Sequence, residues 1–265
     1  IGVGLVGSEM CIRDRHLPSE NRNSLKEYSS EHIPNAIYFD IDKNSDLNSN
    51  LPHMLPNKDM WEKIMSSNGI SNNDKIVIYD NSKVLSSCRL WYMLLYFGHS
   101  KKLVSVLNGG LEKWKKNNFP ITEDHTKLKM TNYKAYENKF MVKNLDEIDK
   151  NIENKVFSLV DARSKDRFEG KTKEPREGVR SGSIKNSICI PFNNVIKDDK
   201  TFKDKEELKI IFNNIISDID NNNVVFSCGS GITSCVLALA YSLINNNYNP
   251  TIYDGSWAEY GKIFK

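Results

Sequence analysis

The chain has 265 residues, of which 39% are hydrophobic and 27% charged, and its formal net charge is +3. This composition is typical of a globular protein with one large or two ordinary domains. So small a charge argues against nucleic acid as a partner, and no apolar run approaches the roughly 20 residues of a membrane span. The five cysteines have neither disulfide-framework nor metal-ligand spacing, which predicts reduced thiols and a cytoplasmic location.

The first segment, IGVGLVGSEMCIRDR, resembles translated sequencing-adapter sequence. We therefore expect residues 1–15 to be non-native, so that Cys11, Arg13 and Arg15 carry no function. The strand that should open the first domain would then be missing, leaving its sheet with an exposed edge.

Short apolar runs alternate with helical patterns along the rest of the chain. In the first half, strands are predicted at 36–40, 75–80 and 103–108, and helices at 59–69, 84–98 and 110–117. In the second half, strands are predicted at 156–163, 187–192, 223–228 and 250–255, and helices at 205–216 and 233–246. This alternation predicts an α/β fold in which mainly parallel sheets are flanked by helices.

The two halves repeat the same motifs in the same order. KIVIYDNSKVLSSCRLW (75–91) parallels NVVFSCGSGITSCVLAL (223–239), and LNGGLEKW (107–114) parallels YDGSWAEY (253–260). Such a repeat indicates a tandem duplication. The predicted parts are an N-terminal domain at 16–122, truncated at its start, a polar linker at 123–140, and a C-terminal domain at 141–265.

The candidate nucleophile is Cys228, which ends a predicted strand. Behind it, Gly229, Ser230 and Gly231 can turn tightly and aim successive backbone N–H groups at one point. Such a nest before a helix that begins at Thr233 favours negative charge, so we expect Cys228 to be largely a thiolate. The first half has Asp80 or Asn81 at the equivalent place, and NSKVLS replaces the small-residue loop, which predicts that the N-terminal domain is inactive and the C-terminal domain catalytic.

Two other cysteines are expected to be buried packing residues: Cys235 in the following helix and Cys189 in a strand. A cradled cysteine such as Cys228 suits either a phosphatase or a sulfurtransferase. Cysteine phosphatases carry an arginine six residues after the nucleophile, but that position here is Ser234, and the loop contains no cation. Phosphoryl transfer is therefore disfavoured.

The loop CGSGIT after a strand resembles the active-site loop of the rhodanese superfamily, in the form CGSGVT found in members that use 3-mercaptopyruvate. Members specific for thiosulfate carry Arg-Lys after the cysteine, where this chain has Gly229 and Ser230. Further matches run in order over residues 16 to about 261: HIPNAIYFDID, HMLP, IVIYD, FGH, NGGLEKW, DAR, RFEG, EPREG and YDGSWAEYG. The resemblance implies two tandem rhodanese-like domains and sulfur transfer through a persulfide on Cys228, with release of pyruvate.

The resemblance also implies roles for two arginines. Arg167 in DRFEG and Arg176 in EPREG would bind the carboxylate and keto oxygen of the substrate. A planar guanidinium grips such a group with two hydrogen bonds, which an ammonium does less well. Backbone groups of the loop would hold the substrate sulfur and the persulfide; the loop residues concerned are Gly229, Gly231, Ile232 and Thr233.

A relay of Ser230, His53 in HMLP and Asp42 in FDID is implied in the same way, with proton transfer at the substrate as its task. Because His53 and Asp42 belong to the first half, the site is expected between the two domains.

No metal or organic cofactor is implied, and neither nucleic acid nor a membrane is expected as a partner. The sulfur acceptor is expected to be thioredoxin or another small thiol, with cyanide serving in vitro. Two alternatives stay open: a thiosulfate or broad-specificity sulfurtransferase, and a persulfide-carrying module without turnover.

Overall fold

The computed structural model describes residues 9–14, 22–214, 216 and 223–262, which group into two compact units. The first unit holds the described residues up to Leu47 together with Pro56–Asn138. The second holds Asn48–Leu55 and the described residues from Lys139 onward. The segment 48–55 thus belongs to the second unit, although the motif repeat assigned it to the first half.

The first unit is built on a four-stranded sheet in which all neighbouring strands are parallel, in the order β2-β1-β3-β4. Its strands are β1 (Glu9–Asp14), β2 (Ala36–Phe39), β3 (Lys75–Tyr79) and β4 (Val104–Val106). Its helices are α1 (Ser24–Ser30), α2 (Lys58–Ser67), α3 (Ser87–Tyr96) and α4 (Gly110–Lys116).

The position expected to lack a strand is filled by β1. Its backbone pairs with β2 on one side and β3 on the other, so that Cys11 stands opposite Ala36 and Val77. The expectation of a missing first strand is therefore corrected. The physical reason is that β2 and β3 would otherwise leave rows of buried N–H and C=O groups unpaired at the middle of the sheet. The non-native origin of residues 1–15 stays a prediction.

Most of the predicted linker packs on the first unit. The Thr126 hydroxyl donates to the carbonyl of Ala36 at 2.8 Å, and Tyr133 is buried with its ring stacked on His99. The segment up to Asn138 therefore counts as part of this unit rather than as a linker. Individual hydrogen bonds fix this segment on the first unit. The sequence analysis missed this because such bonds cannot be predicted from hydrophobic periodicity.

The second unit is built on a five-stranded parallel sheet in the order β5-β9-β8-β6-β7. Its strands are β5 (Val142–Lys143), β6 (Ser158–Asp161), β7 (Ile188–Cys189), β8 (Val224–Ser227) and β9 (Ile252–Tyr253). Its helices are α5 (Leu145–Asn154), α6 (Lys165–Phe168), α7 (Lys205–Asn213), α8 (Ser234–Ile244) and α9 (Ser256–Tyr260). The predicted α/β class is confirmed.

The strand β8 lies at the centre of this sheet, and all four of its residues are buried. Parallel strands share one carboxyl edge, and ligands of open α/β sheets bind outside that edge. Cys228 follows β8 there, Asp161 ends β6, and Asp254 follows β9. Within the described parts of the chain, no helix is long and apolar enough to cross a membrane.

Candidate active site

Cys228 lies in a loop whose first two carbonyl groups accept hydrogen bonds from backbone N–H groups of α9. Its own carbonyl accepts from the N–H of Trp257 at 2.9 Å, and that of Gly229 accepts from Ala258 at 2.9 Å. Gly231 has a φ of +78°, a left-handed conformation that glycine adopts without strain. With its carbonyls bonded to α9, the loop can direct N–H groups toward the sulfur.

The pKa of Cys228 lies below its ordinary value although the residue is only 1% exposed. Burial alone raises this pKa, because it disfavours the thiolate. Hydrogen bonds to the sulfur more than offset that effect; they come from the Thr233 hydroxyl, the backbone N–H groups of Ser230 and Ser234, and the Ser234 hydroxyl. The loop therefore stabilises a buried thiolate, as expected for a nucleophile.

Two hydroxyls stand out in this arrangement. Thr233 makes no side-chain capping bond at the start of α8, and its hydroxyl is one of the groups that lower the pKa of Cys228. The Ser234 Oγ lies 3.6 Å from Cys228 Sγ. The sequence analysis missed Ser234 as a site residue; its signal was its position six residues after the cysteine, where a phosphatase carries arginine.

Ser230 links two of the predicted site residues. Its side-chain oxygen accepts from Arg176 Nη2 at 3.0 Å and lies 3.0 Å from Nδ1 of His53. Ser230 itself is only 6% exposed. The structure thus brings Arg176, Ser230 and His53 together beside the cysteine loop.

His53 reaches Ser230 as part of the second unit. The N–H of Leu55 donates to Oδ2 of buried Asp254 at 2.9 Å, which fastens the segment 48–55 to the end of β9. His53 has a φ of +60°, so the chain turns sharply at this residue. The sequence analysis placed His53 in the first domain; this tether, formed far along the chain, is the reason for the difference.

Asp42 lies in the first unit, in the turn after β2, where its backbone N–H donates to the Asp40 carboxylate at 3.2 Å. Its part in the relay stays a prediction. The sequence analysis expected the site between two domains. The structure shows instead that three of the predicted site residues belong to the second unit: Cys228, Ser230 and His53.

Both predicted substrate arginines lie over Gly229. A Cβ atom placed on Gly229 would lie 3.1 Å from Nη2 of Arg167 and 3.7 Å from Nη1 of Arg176. The absence of a side chain at Gly229 therefore lets two guanidinium groups approach the loop backbone closely. Such a pair provides the positive charge that the loop itself lacks.

A buried network of charges supports Arg167. Arg163 donates to Asp161 Oδ2 at 2.7 Å and to Glu174 Oε1 at 2.9 Å, and its guanidinium lies 4.4 Å from the ring centre of Trp257. Arg167 donates from Nε to the same Glu174 oxygen at 3.2 Å. Asp161 and Arg163 thus fix the fold beside the loop, and Trp257 is a core residue.

The other two cysteines described in the second unit, Cys235 and Cys189, differ from Cys228. Cys235 is fully buried, and its thiol donates to the carbonyl of Gly231 at 3.3 Å. Cys189 was expected to be buried but is only half-buried, because β7 is an edge strand of the sheet. Burial raises the pKa of the Cys189 thiol to about 11, so it is a poor nucleophile at neutral pH. Ile232 is buried and its carbonyl accepts from the N–H of Cys235 at 3.1 Å.

Two tandem domains, each with a strand, a loop and a helix in the same order, define the class of this protein. Residues 21–117 and 144–262 both match the rhodanese-like domain. The chain therefore belongs to the rhodanese family.

Relatives named for different sulfur donors are about equally similar to the chain. Thiosulfate/3-mercaptopyruvate sulfurtransferase 1, mitochondrial, of Arabidopsis thaliana is 36% identical in an alignment of 266 residues that covers 92% of this chain and 69% of the relative. The thiosulfate sulfurtransferase of Rattus norvegicus is 34% identical in an alignment of 264 residues that covers 98% of this chain and 88% of the relative. Overall identity thus does not select the donor.

Among solved structures, the chain is similar to SseA from Escherichia coli, reported with the rhodanese fold and catalytic mechanism of 3-mercaptopyruvate sulfotransferases. The TM-score is 0.81 at 31% identity, and the match covers 94% of this chain and 92% of SseA.

Proposed function

We propose that this chain is a sulfurtransferase that takes sulfur from 3-mercaptopyruvate, holds it as a persulfide on Cys228 and releases pyruvate. The observation that carries the proposal is the pair of guanidinium groups over Gly229, beside a thiolate in a loop without a cation of its own. Arg167 and Arg176 offer planar donors to a 2-keto acid, and Cys228 offers the nucleophile.

In the first step, the Cys228 thiolate attacks the sulfur of 3-mercaptopyruvate. An S–S bond forms while the bond from sulfur to C3 breaks, and its electron pair moves into the carbon skeleton to give the enolate of pyruvate. The substrate's thiol proton is transferred to that enolate, so pyruvate leaves and Cys228 carries a deprotonated persulfide. The N–H groups of Ser230 and Ser234 that bond the thiolate are suited to the persulfide as well.

Ser230 and His53 are proposed to assist that proton transfer. In the neutral tautomer of His53 that carries its proton on Nε2, the Ser230 O–H donates to Nδ1 while its oxygen accepts from Arg176. A hydroxyl that accepts from a guanidinium is a better proton donor than an isolated one. Ser230 is therefore proposed to relay the thiol proton of the substrate to the departing enolate.

In the second step, an acceptor thiolate attacks the outer sulfur and restores the Cys228 thiolate. We propose thioredoxin or another small thiol as the acceptor. We also propose the cytoplasm as the location, because the cysteines follow no disulfide-framework spacing. The Arabidopsis relative is named as mitochondrial.

Thiosulfate is the second candidate donor, because the rat relative is named for it. The structure around Gly229 favours the keto acid. An arginine at position 229, as in thiosulfate-specific loops, would meet Arg167 Nη2 already at its Cβ. The site thus places its cations outside the loop, where they can reach the carboxylate of a larger donor.

The proposal is tested by comparing kcat/KM for 3-mercaptopyruvate and for thiosulfate in the wild-type chain and in Arg176→Lys. We expect the wild type to prefer 3-mercaptopyruvate, and Arg176→Lys to lose about ten-fold in kcat/KM for that donor. Arg22→Lys is the control, since Arg22 makes a surface ion pair with Glu27 in the first unit. A wild type that prefers thiosulfate would support the alternative, and a single sulfur added to Cys228 without turnover would support the carrier module.

A further inference from the structure

Glu174 is a buried acid shared by two arginines. Its side chain is 2% exposed, whereas that of Arg163 is fully buried and that of Arg167 is 27% exposed. Oε1 accepts from Arg163 Nη1 at 2.9 Å and from Arg167 Nε at 3.2 Å, and Oε2 accepts from Arg167 Nη2. Burial of this carboxylate would be costly without partners, and here two guanidinium groups compensate it.

The contacts divide the guanidinium of Arg167 into two edges. The side edge, made of the Nε–H and one N–H of Nη2, donates to Glu174. The end edge, made of Nη1 and Nη2, faces the cysteine loop, where these atoms lie 3.8 and 3.1 Å from a Cβ placed on Gly229. A carboxylate in the site can therefore meet Arg167 only at its end edge.

We propose that Glu174 is a positioning residue that binds the side edge of Arg167 and so presents the end edge to the carboxylate of 3-mercaptopyruvate. The inference rests on the proposed function and deepens it. Arg167, with a partly exposed side chain, would otherwise have several rotamers, and a preorganised guanidinium loses less conformational freedom on binding.

The direction in which KM changes on replacement of Glu174 distinguishes a positioning role from a purely electrostatic one. Asp161, Arg163, Glu174 and Arg167 form a chain of two carboxylates and two guanidinium groups. Replacing Glu174 by glutamine leaves this chain with a positive charge. If charge alone mattered, both anionic donors would bind more tightly and their KM values would fall.

The test is the steady-state kinetics of Glu174→Gln with both donors. Positioning predicts that KM for 3-mercaptopyruvate rises by about ten-fold, the factor expected for misplacing one charged hydrogen bond, while KM for thiosulfate does not rise. The matched control is Glu169→Gln on the same stretch of chain, because Glu169 pairs with two surface lysines, Lys165 and Lys171. We expect wild-type KM values for this control.

A double-mutant cycle with Arg167→Gln locates the effect. If Glu174 acts through Arg167, adding Glu174→Gln to Arg167→Gln changes KM for 3-mercaptopyruvate by less than two-fold. A fall or no change of that KM in the single Glu174→Gln variant would overturn the proposal. So would additive effects in the cycle, and so would a loss of kcat alone for both donors, which indicates a purely structural role.

A second variant covers the case in which Glu174→Gln does not fold. Glu174→Asp keeps the charge but is one methylene shorter, so it cannot hold both arginines in the present geometry. We expect the same selective rise of KM for 3-mercaptopyruvate, and an unchanged KM in folded Glu174→Asp would overturn the proposal. A wild type that releases no pyruvate would refute the proposed function, whereas an active wild type with unaffected variants would refute only the role of Glu174.

Discussion

Gly110 and Ser256 occupy equivalent positions in the two halves of the duplication, and both have a left-handed backbone, with φ of +56° and +51°. Glycine adopts this conformation freely, whereas a residue with a Cβ is destabilised by about 1–2 kcal/mol. Ser256 gives a reason for the strain: its hydroxyl accepts from the N–H of Cys228 at 3.2 Å and donates to the carbonyl of Tyr253 at 2.8 Å. The strained serine therefore holds the nucleophile in place.

Replacing Ser256 separates the hydroxyl from the backbone strain. Ser256→Ala and Ser256→Gly both remove the hydroxyl, so we expect both to lower kcat/KM for sulfur transfer by about ten-fold. Ser256→Gly also relieves the strain, so its free energy of unfolding should exceed that of Ser256→Ala by about 1 kcal/mol. Urea unfolding and initial rates measure the two effects. Wild-type kinetics in both variants would show that the hydroxyl does not hold Cys228.

Ser234 is predicted to set the acid limb of the pH–rate profile. Its hydroxyl and N–H contribute to the lowered pKa of Cys228, and a lowered pKa keeps the thiolate present to lower pH. In Ser234→Ala the hydroxyl bond is lost, so the pKa of Cys228 rises and the acid limb of the kcat/KM profile moves to higher pH. At pH values below this limb, we expect kcat/KM to fall by about ten-fold relative to the wild type. Ser242→Ala is the control, because the Ser242 hydroxyl bonds to Ala238 in the same helix, α8. An acid limb at the wild-type pH in Ser234→Ala would contradict this assignment.

Asp254 is predicted to position His53. Its carboxylate accepts the N–H of Leu55, two residues beyond His53, and this bond fastens the segment 48–55. Asp254→Ala should lower kcat about ten-fold with little change in KM, because His53 would lie less often beside Ser230 while the arginines stay in place. Asp254→Asn retains an acceptor oxygen and should recover much of that rate. A rise in KM without loss of kcat, or no rescue by asparagine, would speak against this role.

Hydrophobic pattern was sufficient for most of the architecture. Every strand and helix that the pattern predicted is present, including the equivalent helices α3 and α8 of the two halves. It missed α5, whose sequence LDEIDKNIEN is mostly polar, although the capping box of Asn144 and Glu147 marks its start. It also missed the short helices α1, α6 and α9 and the two-residue strand β5, which offer too few residues for a periodicity to show.

The inactive first domain, which stays a prediction, has a physical counterpart in Asp80. The Asp80 carboxylate accepts from the N–H of Ser87 at 2.7 Å and from the Ser86 hydroxyl at 3.5 Å. Ser86 corresponds to Ser234 of the second half, so the same kind of loop bonds a carboxylate in one domain and a thiolate in the other. The sequence left Asp80 and Asn81 as candidates for the place of the cysteine; the structure shows that the loop bonds the Asp80 carboxylate.

Contacts between residues distant in sequence were beyond the reach of pattern analysis. The tether from Leu55 to Asp254 joins residues 199 positions apart, and it moves His53 from its expected domain into the second unit. Glu174 was missed for a similar reason. An acid in EPREG has the appearance of a surface residue until Arg163 and Arg167 are seen to enclose it.

The most direct test of the account is mass spectrometry of the chain after reaction with 3-mercaptopyruvate in the absence of any acceptor. We predict one added sulfur atom per chain, located on Cys228, together with one released pyruvate, and neither in Cys228→Ser. Cys189→Ser and Cys235→Ser should both react as the wild type does. Sulfur found on another cysteine, or pyruvate released at the wild-type rate by Cys228→Ser, would contradict the account.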